Sequence, residues 1–217
     1  MARVSVTEPE RLFESLLASE RTVIGQIEIR RSDLAFALSH RDDVGRRDLR
    51  DYAAEEAIEI AKFDDVGNYR PLKTAPNLRH GWRILVPDLA TIISVIDAIY
   101  PGRLAVWRVW RSGQLLPTPW RQTLARQSGI YRVAAKISDA QTDDLIGDFC
   151  RSDGGCLRTI LWKRDDSGAS PSTRLSLEKF DPAHDQTGGG RTAIPLLCQE
   201  ACNLLIAAAR KVVKGES

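Results

Sequence analysis

The chain has no apolar run long enough to cross a bilayer. Its longest, Leu89 to Tyr100, carries Asp97 and falls far short of the roughly 20 residues that a spanning helix needs. The start, Met1 to Glu10, lacks an apolar core followed by a small-residue cleavage site, so no secretory signal is expected there. There is no internal repeat. The glycine triplet Gly188, Gly189 and Gly190 has no GK[ST] after it and is a weak phosphate-loop candidate. Histidine is scarce: His40, His80 and His184 are too scattered to build a metal-handling centre of their own. Cysteine is absent until Cys150. Together these absences point to a cytoplasmic, reducing setting, in which clustered thiols read as ligands before they read as bridges.

What is present is an ordinary globular composition, 43% hydrophobic and 28% charged over 217 residues. A chain of this size hides about 70% of its unfolded surface and needs no disulfides for stability. The net charge of +2 says little as a sum, but its distribution says more. From Arg103 to Lys136 there are seven basic residues and no Asp or Glu, which makes this stretch a candidate anion-facing surface. Trp107, Trp110, Trp120 and Tyr131 are interleaved with it; a solvated arginine face over a tryptophan core explains the same pattern.

The four cysteines fall in two pairs, Cys150/Cys156 and Cys198/Cys202. Four thiolates can hold zinc, hold an iron-sulfur cluster or form two disulfides, and single buried cysteines are often inert. Zinc knuckles have two to four intervening residues, whereas the first gap here is five, the second three, and neither pair contains a histidine. Iron-sulfur ligands come in looser spacings, so the spacing favours a cluster while zinc and redox thiols stay open. Gly154 and Gly155 let the backbone curl between Cys150 and Cys156. Arg151, Arg158 and Arg191 lie close to the thiols in sequence, as do the apolar Phe149, Leu157, Ile160, Leu196 and Leu197.

The periodicity predicts an α+β chain: a small mixed α/β region over residues 1–105, then a helical and β-hairpin domain over residues 106–217. Expected elements are a helix over Glu8–Glu20, a strand over Thr22–Arg30 with a hairpin partner at Ala35–Ser39, and a helix over Asp48–Phe63. A strand over Gly81–Val86, a helix from Asp88 to about Tyr100 and a strand over Leu104–Trp110 follow. The second part should hold a helix starting at Thr118-Pro119, a capping-box helix over Asp139–Cys150 begun by Ser138 and Gln141, and a hairpin of Leu157–Lys163 with Thr173–Lys179. A mobile loop over Asp181–Arg191 and a final helix over Leu196–Lys214 complete it; that helix would place Cys198 and Cys202 on one face, near its positive N-terminal end.

DFCRSDGGCLRTILW at Asp148 to Trp162 and IPLLCQEACNLLIAAARKVV at Ile194 to Val213 resemble the iron-sulfur region at the C-terminal end of bacterial sirohydrochlorin cobaltochelatase-like proteins. NYRPLKTAPNLRHGWRILVPD, Asn68 to Asp88, resembles the stabilising segment that precedes it in the same proteins. The resemblance covers the chain from about Thr22 onward. It implies a [4Fe-4S] cluster held by Cys150, Cys156, Cys198 and Cys202. The chelatase module of those longer proteins has no counterpart here, so chelatase activity is not expected of this chain alone.

Three functions compete. The first is a cluster-carrying redox or accessory subunit tied to tetrapyrrole or cobalamin-type metabolism. Its partner would be a chelatase or redox enzyme, with an anionic tetrapyrrole as a candidate ligand of the Arg103–Lys136 stretch. The second is a DNA-binding redox regulator, but the helix that would enter the groove carries Asp139, Asp143, Asp144 and Asp148 with no Lys or Arg, which argues against nucleic acid. The third is an enzyme that uses the cluster directly, for which His184 is the one histidine close in sequence to the thiols.

Overall fold

The computed structural model describes residues 8–18, 20–32, 35–70, 75–111, 114, 118–126, 136–145, 159–160, 162–165, 168–169, 191–194, 196–198 and 202–215. In chain order the elements are α1 (Glu8–Leu17), β1 (Arg21–Ile24), β2 (Ile27–Arg31), β3 (Phe36–His40), β4 (Arg50–Tyr52), α2 (Ala57–Lys62), β5 (Trp82–Val86), α3 (Leu89–Ile99) and α4 (Arg103–Arg111). There follow β6 (Thr118–Pro119), α5 (Trp120–Ala125), α6 (Asp139–Asp144), β7 (Thr159–Ile160), β8 (Trp162–Asp165), β9 (Gly168–Ala169), β10 (Arg191–Ile194), β11 (Leu197–Cys198) and α7 (Asn203–Lys214). The expected α+β class holds.

The chain forms two compact units, one of Met1–Arg108 with Pro182–Ile194, the other of Val109–Asp181 with Pro195–Ser217. The first is built on a six-stranded sheet in the order β10-β1-β2-β3-β5-β4. The β1–β2 pair is a tight hairpin in which Ile24 lies opposite Ile27 and Gly25 takes a left-handed φ of 58°, a conformation that glycine adopts without strain. Ile29, Leu38 and Ile84 follow one another in register across β2, β3 and β5 and are all buried. Side chains alternate along a strand, so the same residues that bury this stripe turn Arg21, Glu28 and Arg30 to the opposite face.

Helix α3 forms because Ile92, Val95, Ile96 and Ile99 repeat at helical spacing and are all buried, while Asp88 caps its start by accepting from the Thr91 N–H at 2.8 Å. The buried Tyr100 hydroxyl accepts from the Gln26 N–H at 3.0 Å, tying the end of the helix to the β1–β2 turn. Among the described residues no single helix is long and apolar enough to cross a membrane; α3 and α4 reach that length and apolar content together but are bent by 108°.

Several expected elements differ. The strand expected at Leu104–Trp110 is helix α4: Leu104 and Trp107, three residues apart, are the buried pair, and a short apolar run leaves strand and helix undecided. The helix expected over Asp48–Phe63 is confined to α2 and a 3₁₀ turn at Ala54–Glu56. Arg50–Tyr52 instead pairs with β5, where Arg83 Nε donates to Asp51 Oδ1 at 2.6 Å. Cross-strand partners outweigh local helix propensity there. The strand expected over Thr22–Arg30 is interrupted by the Gly25 turn.

In the second unit β6 and β8 run parallel, and β8 turns back onto β9. The hairpin therefore closes at Gly168–Ala169, earlier than expected; Thr173–Lys179 lies outside the described residues. Helix α5 starts one residue later than expected, at Trp120, with Pro119 as its N-cap. The capping box is present: Ser138 Oγ accepts from the Gln141 N–H, and Gln141 Oε1 accepts from the Ser138 N–H at 2.9 Å. Of the helix expected over Asp139–Cys150, residues 146–150 are outside the described set.

Candidate metal centre

The final helix does not begin at Leu196. Leu197–Cys198 is a short strand paired in parallel with Thr159–Ile160, Cys198 lying in register with Ile160, and the helix starts at Asn203. The two thiols thus share no helix face. Cys202 is the N-cap residue, in extended geometry at φ −66° and ψ 159°, directly at the helix N-terminus. That terminus carries partial positive charge next to the Cys202 sulfur. Cys198, on the strand, is not one of the helix's own residues.

What unites the pair is the core they enter. Cys198 is buried in a cluster with Trp120, Leu124, Ile137, Leu145, Leu205, Ile206 and Ala209, and Cys202 packs against the same cluster half-buried. Each wall has a sequence cause. Trp120 and Leu124 sit four apart on α5, Ile137 and Leu145 flank α6, and Leu205, Ile206 and Ala209 make one stripe of α7. Arg121 joins two of these walls: its guanidinium donates to the Ile137 carbonyl at 2.8 and 3.0 Å and pairs with Asp139 at the start of α6.

Neither thiol forms a disulfide. Two soft sulfur donors, one of them at a helix N-terminus and both against an apolar wall, suit an iron-sulfur cluster, whose ligands are thiolates and whose charge the helix end offsets. Among the described residues no group of three or more His, Cys, Asp or Glu is gathered to hold a metal. Cys150 and Cys156 lie outside the described residues, as do His184, Arg151, Arg158, Phe149 and Leu157.

The other sequence candidates scatter. His40 is buried in the sheet of the first unit and His80 is exposed. Within the basic stretch, Arg103 is buried, and Arg121 is taken up by Ile137 and Asp139; Arg108, Arg126 and Lys136 are exposed. Trp107 and Trp120 are core residues, so the interleaved aromatics that the structure describes serve packing. Arg132 and Tyr131 lie outside the described residues. The apolar wall behind the thiols escaped the sequence reading, although the four-residue spacing of Trp120 and Leu124 carried the signal.

Comparison with known proteins bears on the cofactor. Residues 112–211 match the family described as a 4Fe-4S iron-sulfur cluster binding domain, and residues 9–111 match the DR2241 stabilising domain. Among solved structures, the chain is similar to DR2241 from Deinococcus radiodurans, a multi-domain protein with structural similarity to chelatases and two additional novel domains. The TM-score is 0.69 and the identity 25%, over 96% of this chain and 41% of that one. The chain thus spans about two fifths of the length of that protein. No curated protein matches it. These matches bear out the resemblance drawn from the cysteine-bearing segments and from Asn68–Asp88, and they decide between zinc and a cluster: the cofactor is a [4Fe-4S] cluster.

Proposed function

We propose that this chain, whose residues 112–211 match a 4Fe-4S cluster binding domain and whose residues 9–111 match a stabilising domain, holds its cluster on Cys150, Cys156, Cys198 and Cys202. It serves as a cytoplasmic redox or accessory subunit beside a chelatase module or redox enzyme, in tetrapyrrole or cobalamin-type metabolism. Residues 1–105 act as the stabilising region and residues 106–217 as the cluster domain in this reading. The observation that carries it is that the buried Cys198 and the half-buried Cys202 pack against one apolar cluster, with Cys198 in register with Ile160, the fourth residue after Cys156 in sequence.

When bound, the cluster supplies one-electron chemistry. The chain's own residues do the rest. Leu205, Ile206 and Ala209 keep water from the sulfur of Cys198, and the α7 N-terminus offsets negative charge at Cys202. The likeness to a chelatase-like multi-domain protein supports a chelatase module as partner, and among the described side chains of the second unit the exposed Arg126 and Lys136 are the part of the basic stretch available to a carboxylate-bearing tetrapyrrole.

Anaerobic purification with iron and sulfide analysis and electron paramagnetic resonance after reduction tests the assignment. About four iron atoms per chain are expected. Cys150→Ser, Cys156→Ser, Cys198→Ser and Cys202→Ser should each lose most of the bound iron. A colourless, iron-free protein after anaerobic reconstitution overturns the reading.

A further inference from the structure

Helices α3 and α4 are bent from one another by 108°, and a hollow of about 550 Å³ opens at their corner. Every described residue that lines it belongs to the first unit. Its apolar base is made by Phe13 of α1 with Leu104 and Trp107 of α4, all buried, and by the half-buried Ile93 of α3. Space remains because Ser94, Gly102 and Ala105, which also line it, are small. A Cβ placed on Gly102 would meet nothing within 4 Å. An apolar cleft of this size with a few placed polar groups is the form that small-molecule sites take.

Two of the polar groups carry opposite charge. Asp97 Oδ1 accepts from the Gly102 N–H at 2.8 Å, which anchors the carboxylate at the turn between the helices. Arg108 is exposed, one turn beyond Leu104 on α4. Asp97 and Arg108 line the same hollow, yet they do not pair with each other, and neither has another charged partner among the described residues. A monoanion here would meet Arg108 but be repelled by Asp97, a monocation would meet the reverse, and an uncharged molecule would displace water while leaving both charges unmatched. A zwitterion with an apolar body satisfies both charges and the base.

We infer that this hollow binds a free α-amino acid with a large apolar side chain, its ammonium toward Asp97, its carboxylate toward Arg108 and its side chain against Phe13, Leu104 and Trp107. The planar guanidinium matches a carboxylate, and the apolar base takes the body out of water. Walls set 108° apart form a corner and not a trough, which suits a compact molecule over a partner helix. None of these residues belongs to the core around Cys198, so the site stands apart from the cluster.

Titration calorimetry of the full chain at low ionic strength with L-phenylalanine and L-leucine tests this, against probes that each lack one feature. Hydrocinnamate lacks the ammonium, phenethylamine lacks the carboxylate and L-alanine lacks the apolar body. Saturable binding of phenylalanine or leucine is expected, severalfold tighter than that of any of these probes. Ala105→Leu, at an exposed position, puts a branched side chain into the hollow and should abolish binding. Arg108→Gln, and Asp97→Asn with its acceptor for Gly102 retained, should each weaken it about fivefold. No saturable binding of either amino acid overturns the inference, as does equal affinity for phenylalanine and for hydrocinnamate or phenethylamine, or wild-type affinity in Ala105→Leu. Iron content in these variants should equal that of the wild type, which separates failure here from failure of the cluster assignment.

Discussion

His40 shows how one side chain links position to pH. It ends β3 with 1% of its surface exposed, and its Nδ1 accepts from the Asp42 N–H at 3.3 Å. Burial pushes its pKa below the ordinary 6.5; Asp42 and Asp43 pull it upward, and Arg41 and Arg70 push it down. The folded chain therefore holds fewer protons on this ring than the unfolded chain does. Stability from His40 is present above pH 6.5 and drains away as the pH falls below that value. Denaturant unfolding at about pH 7.5 and about pH 5.5 should show a drop in the wild type and a smaller one in His40→Gln. Equal drops in both proteins would refute the assignment to His40. The same histidine was visible in the sequence as one of three, but nothing local marks it as buried. Its strand neighbour in register is the buried Ile27, a partner distant enough that only the folded sheet reveals it. The cysteines stand out as candidate donors by residue type alone, because four thiols in two pairs have few other uses.

At the scale of the element, legibility followed local signals. Helix α3 was plain because a capping aspartate and a four-residue apolar period agree with each other. Helix α6 was plain at its start for the same reason. Its capping box predicts that Ser138→Ala destabilises the cluster unit by about 1 kcal/mol, measured by denaturant unfolding of the cluster-free protein; Ser138→Asp, which retains an acceptor, should restore most of the loss. Elements whose form depends on a distant partner were not legible. Arg50–Tyr52 reads as helix until β5 is beside it. The stretch Leu196–Cys202 reads as the first turns of a helix, yet β7 draws Leu197–Cys198 into a strand and moves the helix start to Asn203. That shift changes the electrostatics of the site, since one thiol sits at a helix N-terminus and the other does not.

At the scale of the whole molecule, the pairing that leaves no local trace is β10 on β1. Four residues from the far end of the chain complete, in parallel, the sheet that the opening residues begin. Parallel pairs demand long connections, and here the connection runs through the whole cluster domain. Cys198 follows Ile194 by only four residues, so the strand that closes the first sheet and the strand that carries a thiol are consecutive.

That order has a consequence for synthesis. As the chain emerges from the ribosome, residues 8–111 can assemble five strands, but β1 keeps one side unpaired until some eighty further residues have been made. An open, partly apolar strand edge invites pairing with another chain. A fragment ending at Arg111 should therefore self-associate, seen as a rise in sedimentation coefficient with concentration, and a synthetic peptide spanning residues 188–196 should suppress it. A fragment that stays monomeric without the peptide would show that the edge is guarded by something other than β10.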